Sequence, residues 1–284
     1  AGASISILQL DEELENLLND PRDAPAMKVS GPTEPVPYDN PFEADGKDSA
    51  VSFMVETPPE FAKITGPLTL NNMIYVVDVM CQSIIKNEVP FCELDAHAGD
   101  GDFGMSVSKG FKQLKREWGH ITGQTDIGAF LDACSIVIME HCGGASGPIW
   151  GSAFRGAGKQ VGNKKELQIS DFAAMLQAAV DSIQTTGKRF FGRGAVIGDK
   201  TLIDALIPCA ASWTALTGDE ADFIDAFRKG AAAAVEGAKQ TETIVARMGR
   251  AGAVGERSIG YPDAGAHALG VIFTDIYNAL ESNN

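Results

Sequence analysis

The sequence predicts an all-α fold, an up-and-down bundle of eight antiparallel helices, preceded by an extended N-terminal segment of different character. Three observations point there. From Thr69 onward, apolar residues return at spacings of three and four. Short connections, four of them glycine-rich, divide that pattern into eight stretches, and eight of the thirteen prolines crowd into the first 59 residues.

In chain order, Ser4 to Leu10 alternates polar and apolar residues like one strand, and Asp11 to Asn19 reads as a short helix carrying Leu14, Leu17 and Leu18. From Asp20 to Pro59 prolines mix with acidic residues, the composition of an extended linker. A lone strand cannot make a sheet, so residues 1–67 read as the tail of something larger followed by a tether, and the helical domain as 68–284. The missing initiator methionine fits a fragment or a processed chain.

Thr69 caps the first helix, whose Leu70, Met73, Val77, Met80 and Ile84 share a stripe that ends before Pro90. The second follows Asp102, with Val107, Phe111, Leu114 and Trp118 on one face. The remaining six fall near 126–142, 147–161, 170–187, 199–216, 220–247 and 263–281, Ser170 and Asp263 serving as N-caps. No strand pattern occurs after residue 67. Short connections make consecutive helices antiparallel neighbours.

Lys+Arg 23 against Asp+Glu 38 leaves −15, which excludes a general nucleic-acid binder, since phosphate backbones need a matching basic surface. An acidic lipid surface is disfavoured for the same reason. Five cysteines without a CxxC on apolar stretches read as reduced, buried thiols, and no apolar run is long enough to span a membrane, so the expected location is the cytoplasm.

Four loop strings carry the chemistry. In Glu93 to Gly104, Asp95, Asp100 and Asp102 are spaced D-x4-D-x-D, with glycines at 99, 101 and 104 to turn the backbone. Converging carboxylates repel one another unless a hard cation sits among them, and such oxygen ligands suit Mg²⁺ or Ca²⁺ rather than zinc; the alternative is an exposed acidic turn. Gly143 to Pro148 opens a helix with glycines and Ser146, a phosphate cradle or simply a C-cap followed by an N-cap. Arg193 to Thr201 approaches a Walker A motif, but Asp199 intrudes and no strand precedes it, so Asp199 capping the next helix is the plainer reading. In Gly249 to Ser258, running on to Gly265, Arg250 and Arg257 either reach anionic oxygens or pair with the chain's excess acids.

These strings follow the first, third, fifth and seventh helices. In an antiparallel bundle those loops share one end, so the four strings converge on one site for metal and nucleotide.

Asp95-x4-Asp100-Gly101-Asp102-x-Gly104, Gly143 to Gly147, Gly198-Asp199-Lys200-Thr201-x2-Asp204 and Gly255-Glu256-Arg257-Ser258-x4-Asp263-x-Gly265 resemble the nucleotide-binding L domain of dihydroxyacetone kinases. The resemblance covers about 68–284; Ser4 to Ile7, Leu10 to Leu14 and Asp23-x-Pro25-Ala26 are similar to the end of the sugar-binding K domain. It implies a barrel of eight antiparallel helices with ATP or ADP at one end and two Mg²⁺ held by Asp95, Asp100 and Asp102. It carries over nucleotide contacts from Phe103, Gly104, Met105, Ser106, Gly144, Ala145, Ser146, Gly194, Leu202, Arg250, Asp263, Ala264 and Gly265, with Arg250 also among the catalytic groups. Phe103 stands where phosphotransferase-linked subunits carry histidine, which favours an ATP-dependent, fused kinase. The implied partners are a K domain or subunit and the small ketose bound on it, with a homodimer left open. Because the family's ketose-binding histidine lies on the K domain, His97, His120, His141 and His267 are read as structural, and the chain alone is expected to bind nucleotide without an acceptor. Rival readings are a nucleotide-sensing regulatory partner and a Mg²⁺-dependent phosphatase or cyclase.

Overall fold

The computed structural model describes residues 11–24, 27–29, 56–216 and 222–284. The chain divides into two units, Ala1–Ser52 and Phe53–Asn284. In the first, α1 (Glu12–Asn19) is capped by Asp11, whose carboxylate accepts the Leu14 N–H at 2.8 Å. The linker composition did not reveal the antiparallel hairpin that follows, β1 (Arg22–Ala24) with β2 (Met27–Val29), in which Arg22 lies opposite Val29. The strand expected over Ser4–Leu10 lies outside the described residues.

The second unit is helical. Its chain enters through a 3₁₀ turn, Pro59–Ala62, and a two-residue strand, β3 (Leu68–Thr69). This entry is fastened to the helices before residue 67. Asn72 donates to the Phe61 and Lys63 carbonyls at 2.8 and 2.9 Å, and Asn284 accepts the Ile64 N–H and donates to the Ala62 carbonyl. The Trp118 indole donates to Thr57, and Ala62 is fully buried. Residues 57–65, which composition placed with the tether, therefore pack with the helical unit.

Thr69 and Asn72 cap each other at the start of α2 (Leu70–Lys86). Pro90 was expected to mark a stop. It sits instead in the first turn of a further helix, α3 (Glu88–Asp95), where a missing N–H costs no intrahelical bond. Then come α4 (Phe103–Arg116), the single turn α5 (Trp118–Ile121), α6 (Ile127–His141) and α7 (Ser146–Val161). A second two-residue strand, β4 (Glu166–Leu167), pairs with β3, a bridge too short for periodicity to reveal.

Next, α8 (Ile169–Phe191) runs a full turn past the expected end and stops at Gly192, whose left-handed backbone closes it. Ser170 lies inside its first turn, and the N-cap is Gln168, whose N–H reaches Asp171. The chain ends with α9 (Ile203–Thr214), α10 (Phe223–Gln240) and α11 (Ala264–Glu281). Both α9 and α10 are shorter than expected: Lys200 adopts φ 62°, which no helix accommodates, and the backbone leaves the helix through a 3₁₀ turn at Thr241.

Eight helices close a ring. In the order α2, α4, α6, α7, α8, α9, α10, α11 each packs on the next, and α11 returns to α2. The ring is filled by apolar side chains, among them a cluster of Phe172, Trp213 and Phe227 with ring centroids 4.3 to 5.3 Å apart. Inside lies an apolar cavity of about 110 Å³. One buried ion pair, Lys115 with Asp78, joins α4 to α2, and its ammonium lies 4.7 Å over the Trp118 ring. All five cysteines are free, and burial pushes the Cys142 thiol up to about 12. Among the described residues, no helix is long and apolar enough to cross a membrane.

Candidate functional site

At one end of the ring, the loops after α3, α6, α8 and α10 line a cleft of about 450 Å³. That is the convergence which helix parity predicts.

The acidic wall comes from residues 95–102. Asp95 ends α3, and one of its carboxylate oxygens accepts the Gly101 N–H at 2.9 Å and the Phe103 N–H at 3.4 Å. A Cβ at position 99 would lie 2.2 Å from an Asp95 oxygen, so a larger residue there would push the Asp95 carboxylate from its place. Asp102 precedes α4 without using its side chain as a cap. One oxygen from each of Asp95, Asp100 and Asp102 lies within 4.8 Å of the others. Three hard oxygen donors this close fit Mg²⁺, and the strip of negative charge is already met by a cation: Arg250 pairs with Asp100 and, at 3.2 Å, with Asp102.

The second wall is the start of α7. Gly143 donates to the Ser106 carbonyl at 2.9 Å, pinning the turn to α4. Gly144, Ala145 and Ser146 then face the cleft. Ser146 is not the expected N-cap: Ala145 holds that position, so the hydroxyl is not used as a cap and the first backbone N–H groups stand at a positive helix end.

The third wall corrects another reading. Asp199 does not cap α9. It is buried and accepts both Arg193 guanidinium nitrogens and the Val196 N–H, and the guanidinium holds its carboxyl below the usual range. Asp204 shapes the turn instead, accepting the Gly198 and Thr201 N–H groups at 2.6 and 2.8 Å. Between them Lys200 points inward, 1% exposed, and donates to the carbonyls of Thr241, Ile244, Ser258 and Tyr261. That cage ties the 198–202 turn to the fourth loop. Burial lowers the ammonium's pKa, against the pull of Asp263, Glu242 and Asp204.

The fourth wall supplies Met248 to Ala251 and, where α11 begins, Asp263, Ala264 and Gly265. Asp263 caps α11 by accepting the Ala266 N–H at 2.8 Å. Burial pushes its carboxyl up to about 7; Asp204 and Asp95 add to the rise, while the Ala266 N–H and Lys200 oppose it.

Of the residues expected at the site, Asp95, Asp100, Asp102, Phe103, Ser106, Gly144 to Ser146, Leu202, Arg250 and Asp263 to Gly265 line the cleft. Gly104, Met105, Gly194 and Arg257 do not. Gly104 serves packing, since a Cβ there would lie 2.0 Å from the Glu88 carbonyl oxygen. Sequence reasoning missed the apolar half of the cleft: Ile149 and Trp150 on α7, Ile183, Gly187 and Phe191 on α8, Ala195 and Met248. The i, i+4, i+8 spacing of Ile183, Gly187 and Phe191 was the available signal. One end of the cleft thus suits a hydrated cation and polyanion, and the other a flat apolar group.

A family model described as the DAK2 domain matches residues 97–278. The chain belongs to the DAK2 domain family. Among its relatives, this DAK2 chain is 32% identical over 208 residues to the ADP-binding subunit DhaL of PEP-dependent dihydroxyacetone kinase 2 from Listeria innocua, a match covering 73% of the chain and 93% of that subunit. It is 29% identical over 273 residues to D-erythrulose kinase of Mycolicibacterium smegmatis, covering 95% of the chain but 45% of the kinase. The chain thus spans about half the length of that relative. The crystal structure of the dihydroxyacetone kinase from C. freundii with AMP-PNP and Mg²⁺ shares the fold, with TM-score 0.54 at 20% identity, over 95% of this chain and 42% of that one.

Proposed function

We propose that this chain is the ATP-binding, phosphoryl-donating part of a dihydroxyacetone (glycerone)-type kinase, which passes the γ-phosphoryl group of ATP to a small ketose held on a separate K domain. The observation that carries this reading is the division of one cleft into an acidic end with Arg250, a helix start, and an apolar slot between α7 and α8. The names of the relatives support it: one is an erythrulose kinase, another an ADP-binding subunit.

Asp95, Asp100 and Asp102 would hold two Mg²⁺, which supply charge neutralisation at the phosphate oxygens. Everything else falls to the chain's own groups. Trp150, Ile183, Phe191 and Leu202 exclude water from the base, and Gly187 leaves room for a flat ring. The N–H groups at Gly144 to Ser146 face the phosphates with the favourable end of the α7 dipole. Arg250 is placed to exchange its carboxylate partners for phosphate oxygens as charge moves onto the leaving group. No general base is asked of this chain, because its work is positioning and electrostatics.

Of residues 1–67, those before the 57–65 segment that packs with the helical unit fit the end of a K domain and a tether. In support, the separate Listeria subunit matches 73% of the chain, whereas the longer erythrulose kinase matches 95%. Free cysteines are in keeping with a cytoplasmic enzyme. The test is coupled ADP release with Mg-ATP and dihydroxyacetone or erythrulose, with and without an added K domain. Sugar-dependent turnover is expected only with the K domain. Robust turnover by the chain alone, or no Mg-ADP binding by calorimetry, overturns the reading.

A further inference from the structure

The acidic loop and the Arg250 loop come from distant parts of the chain, one between α3 and α4 and the other between α10 and α11. Two contacts join them, one inside the cleft and one outside its lining. The first is the ion pairing of Arg250 with Asp100 and Asp102. The second is a stack: the rings of His97 and Tyr261 lie 3.7 Å apart, centroid to centroid, at an interplanar angle of 6°. Neither ring belongs to the core, since His97 is exposed and Tyr261 is 43% exposed. The fold does not need this stack to bury apolar surface.

Its position relative to the other contacts gives it a purpose. The ion pairs cannot hold the loops together throughout a binding cycle, because a cation and a polyanion compete for both Arg250 and the carboxylates. The ring stack has no such competitor. Its tyrosine is also fixed from behind: the Tyr261 carbonyl is one of the four that hold Lys200, which itself sits two residues before the cleft-lining Leu202. A continuous link therefore runs from the apolar end, through Lys200 and Tyr261, to His97, two residues beyond Asp95.

We infer that His97 and Tyr261 are positioning residues, a clasp that holds the aspartate loop at the right distance from the Arg250 loop and the 198–202 turn when metal and nucleotide enter. The inference rests on the reading of the cleft as a Mg–nucleotide site. The clasp touches no ligand. It acts on the placement of Asp95, Asp100 and Asp102, so its loss is felt where binding depends on the metal.

The experiment is titration calorimetry of ADP with Mg²⁺ and with EDTA on the full chain, for wild type, His97→Ala, Tyr261→Ala, the double variant and Tyr261→Phe, with a melting curve for each. The expected result is a loss of Mg-ADP affinity of about three- to tenfold in each alanine variant, the size one aromatic pair supplies. The double variant loses no more than either single one, because both remove the same contact. Tyr261→Phe keeps the stack and stays within about twofold of wild type. ADP affinity in EDTA is unchanged. Unchanged Mg-ADP affinity in either alanine variant, additive losses, or an equal loss with and without metal overturns the clasp while leaving the nucleotide site standing. A wild-type chain that binds no Mg-ADP overturns the site itself, and the clasp with it.

Discussion

Lys200 and the aspartate loop line the same cleft, yet one is closed and the other open. Lys200 is 1% exposed, and its ammonium spends its donors on four backbone carbonyls. The side chains of Asp100 and Asp102 are 49% and 40% exposed, and Arg250 is the partner they share. A charge whose hydrogen bonds are all met inside the protein has nothing left to offer a ligand, whereas carboxylates crowded in solvent have their repulsion relieved when a cation arrives. Charged groups in one cleft can thus be sorted into framework and ligand-facing by how far they are already satisfied.

The sharpest way to break that distinction is to remove one group of each kind. Lys200→Met keeps the length of the side chain but strands buried carbonyls, at a cost of about 3 kcal/mol or more, roughly 6–12 °C in melting temperature for a unit of this size. Asp102→Asn should leave the melting temperature within about 2 °C, because it relieves repulsion at an exposed site, yet weaken Mg-ADP binding by about a hundredfold or more. Thermal melts and calorimetry on both variants decide the matter. A Lys200→Met chain that melts like wild type but binds no nucleotide would move Lys200 among the ligand contacts.

How much of this could be read from sequence follows the same division. The convergence of the four loops needed only helix order and short connections, so it was legible. The satisfied groups were not. The cage around Lys200 depends on carbonyls of residues 241 to 261, whose backbone leaves no trace in side-chain spacing. Pro90 looked like a stop because a helix start on the preceding residues has no apolar stripe of its own, and α3 buries one large side chain, Phe91. Gly187 looked like the end of α8, since glycine is a poor helix former, yet the helix continues to Phe191 and turns that stripe into the wall of the slot. Gly194, which the family resemblance brought in as a contact, lies outside the cleft while Gly187 lines it.

The entry segment extends the comparison to the edge of the unit. Asn72 is 3% exposed and gives both amide hydrogens to the Phe61 and Lys63 carbonyls, a closed arrangement like that of Lys200. A chain starting at Gly66 would lose those acceptors, the partners of Asn284 and the burial of Ala62. It should melt about 4–8 °C below a chain starting at Glu56, for a loss of about 2 kcal/mol. Equal melting temperatures would return residues 57–65 to the tether. Mg-ADP affinity should be the same in both, because the segment contributes nothing to the cleft.

Asp263 stands between the closed and open cases. One of its oxygens caps α11, but burial and the neighbouring carboxylates Asp204 and Asp95 raise its carboxyl to about 7, so its charged form is not fully compensated. An unfolded aspartate titrates near 3.9. Between those two values the folded chain binds the extra proton, so in the absence of metal and nucleotide this residue's contribution to stability is greatest below about pH 4 and falls as pH rises toward 7. Asp263→Asn keeps an oxygen for the Ala266 N–H and removes the titration. The variant should therefore gain on wild type as pH rises from 4.5 to 8, by up to about 3 kcal/mol, roughly 6–12 °C. A pH series of melting curves in EDTA measures it. A difference between variant and wild type that stays flat across that range would mean Asp263 is as well satisfied as Lys200, and that the cap alone is enough to hold its charge.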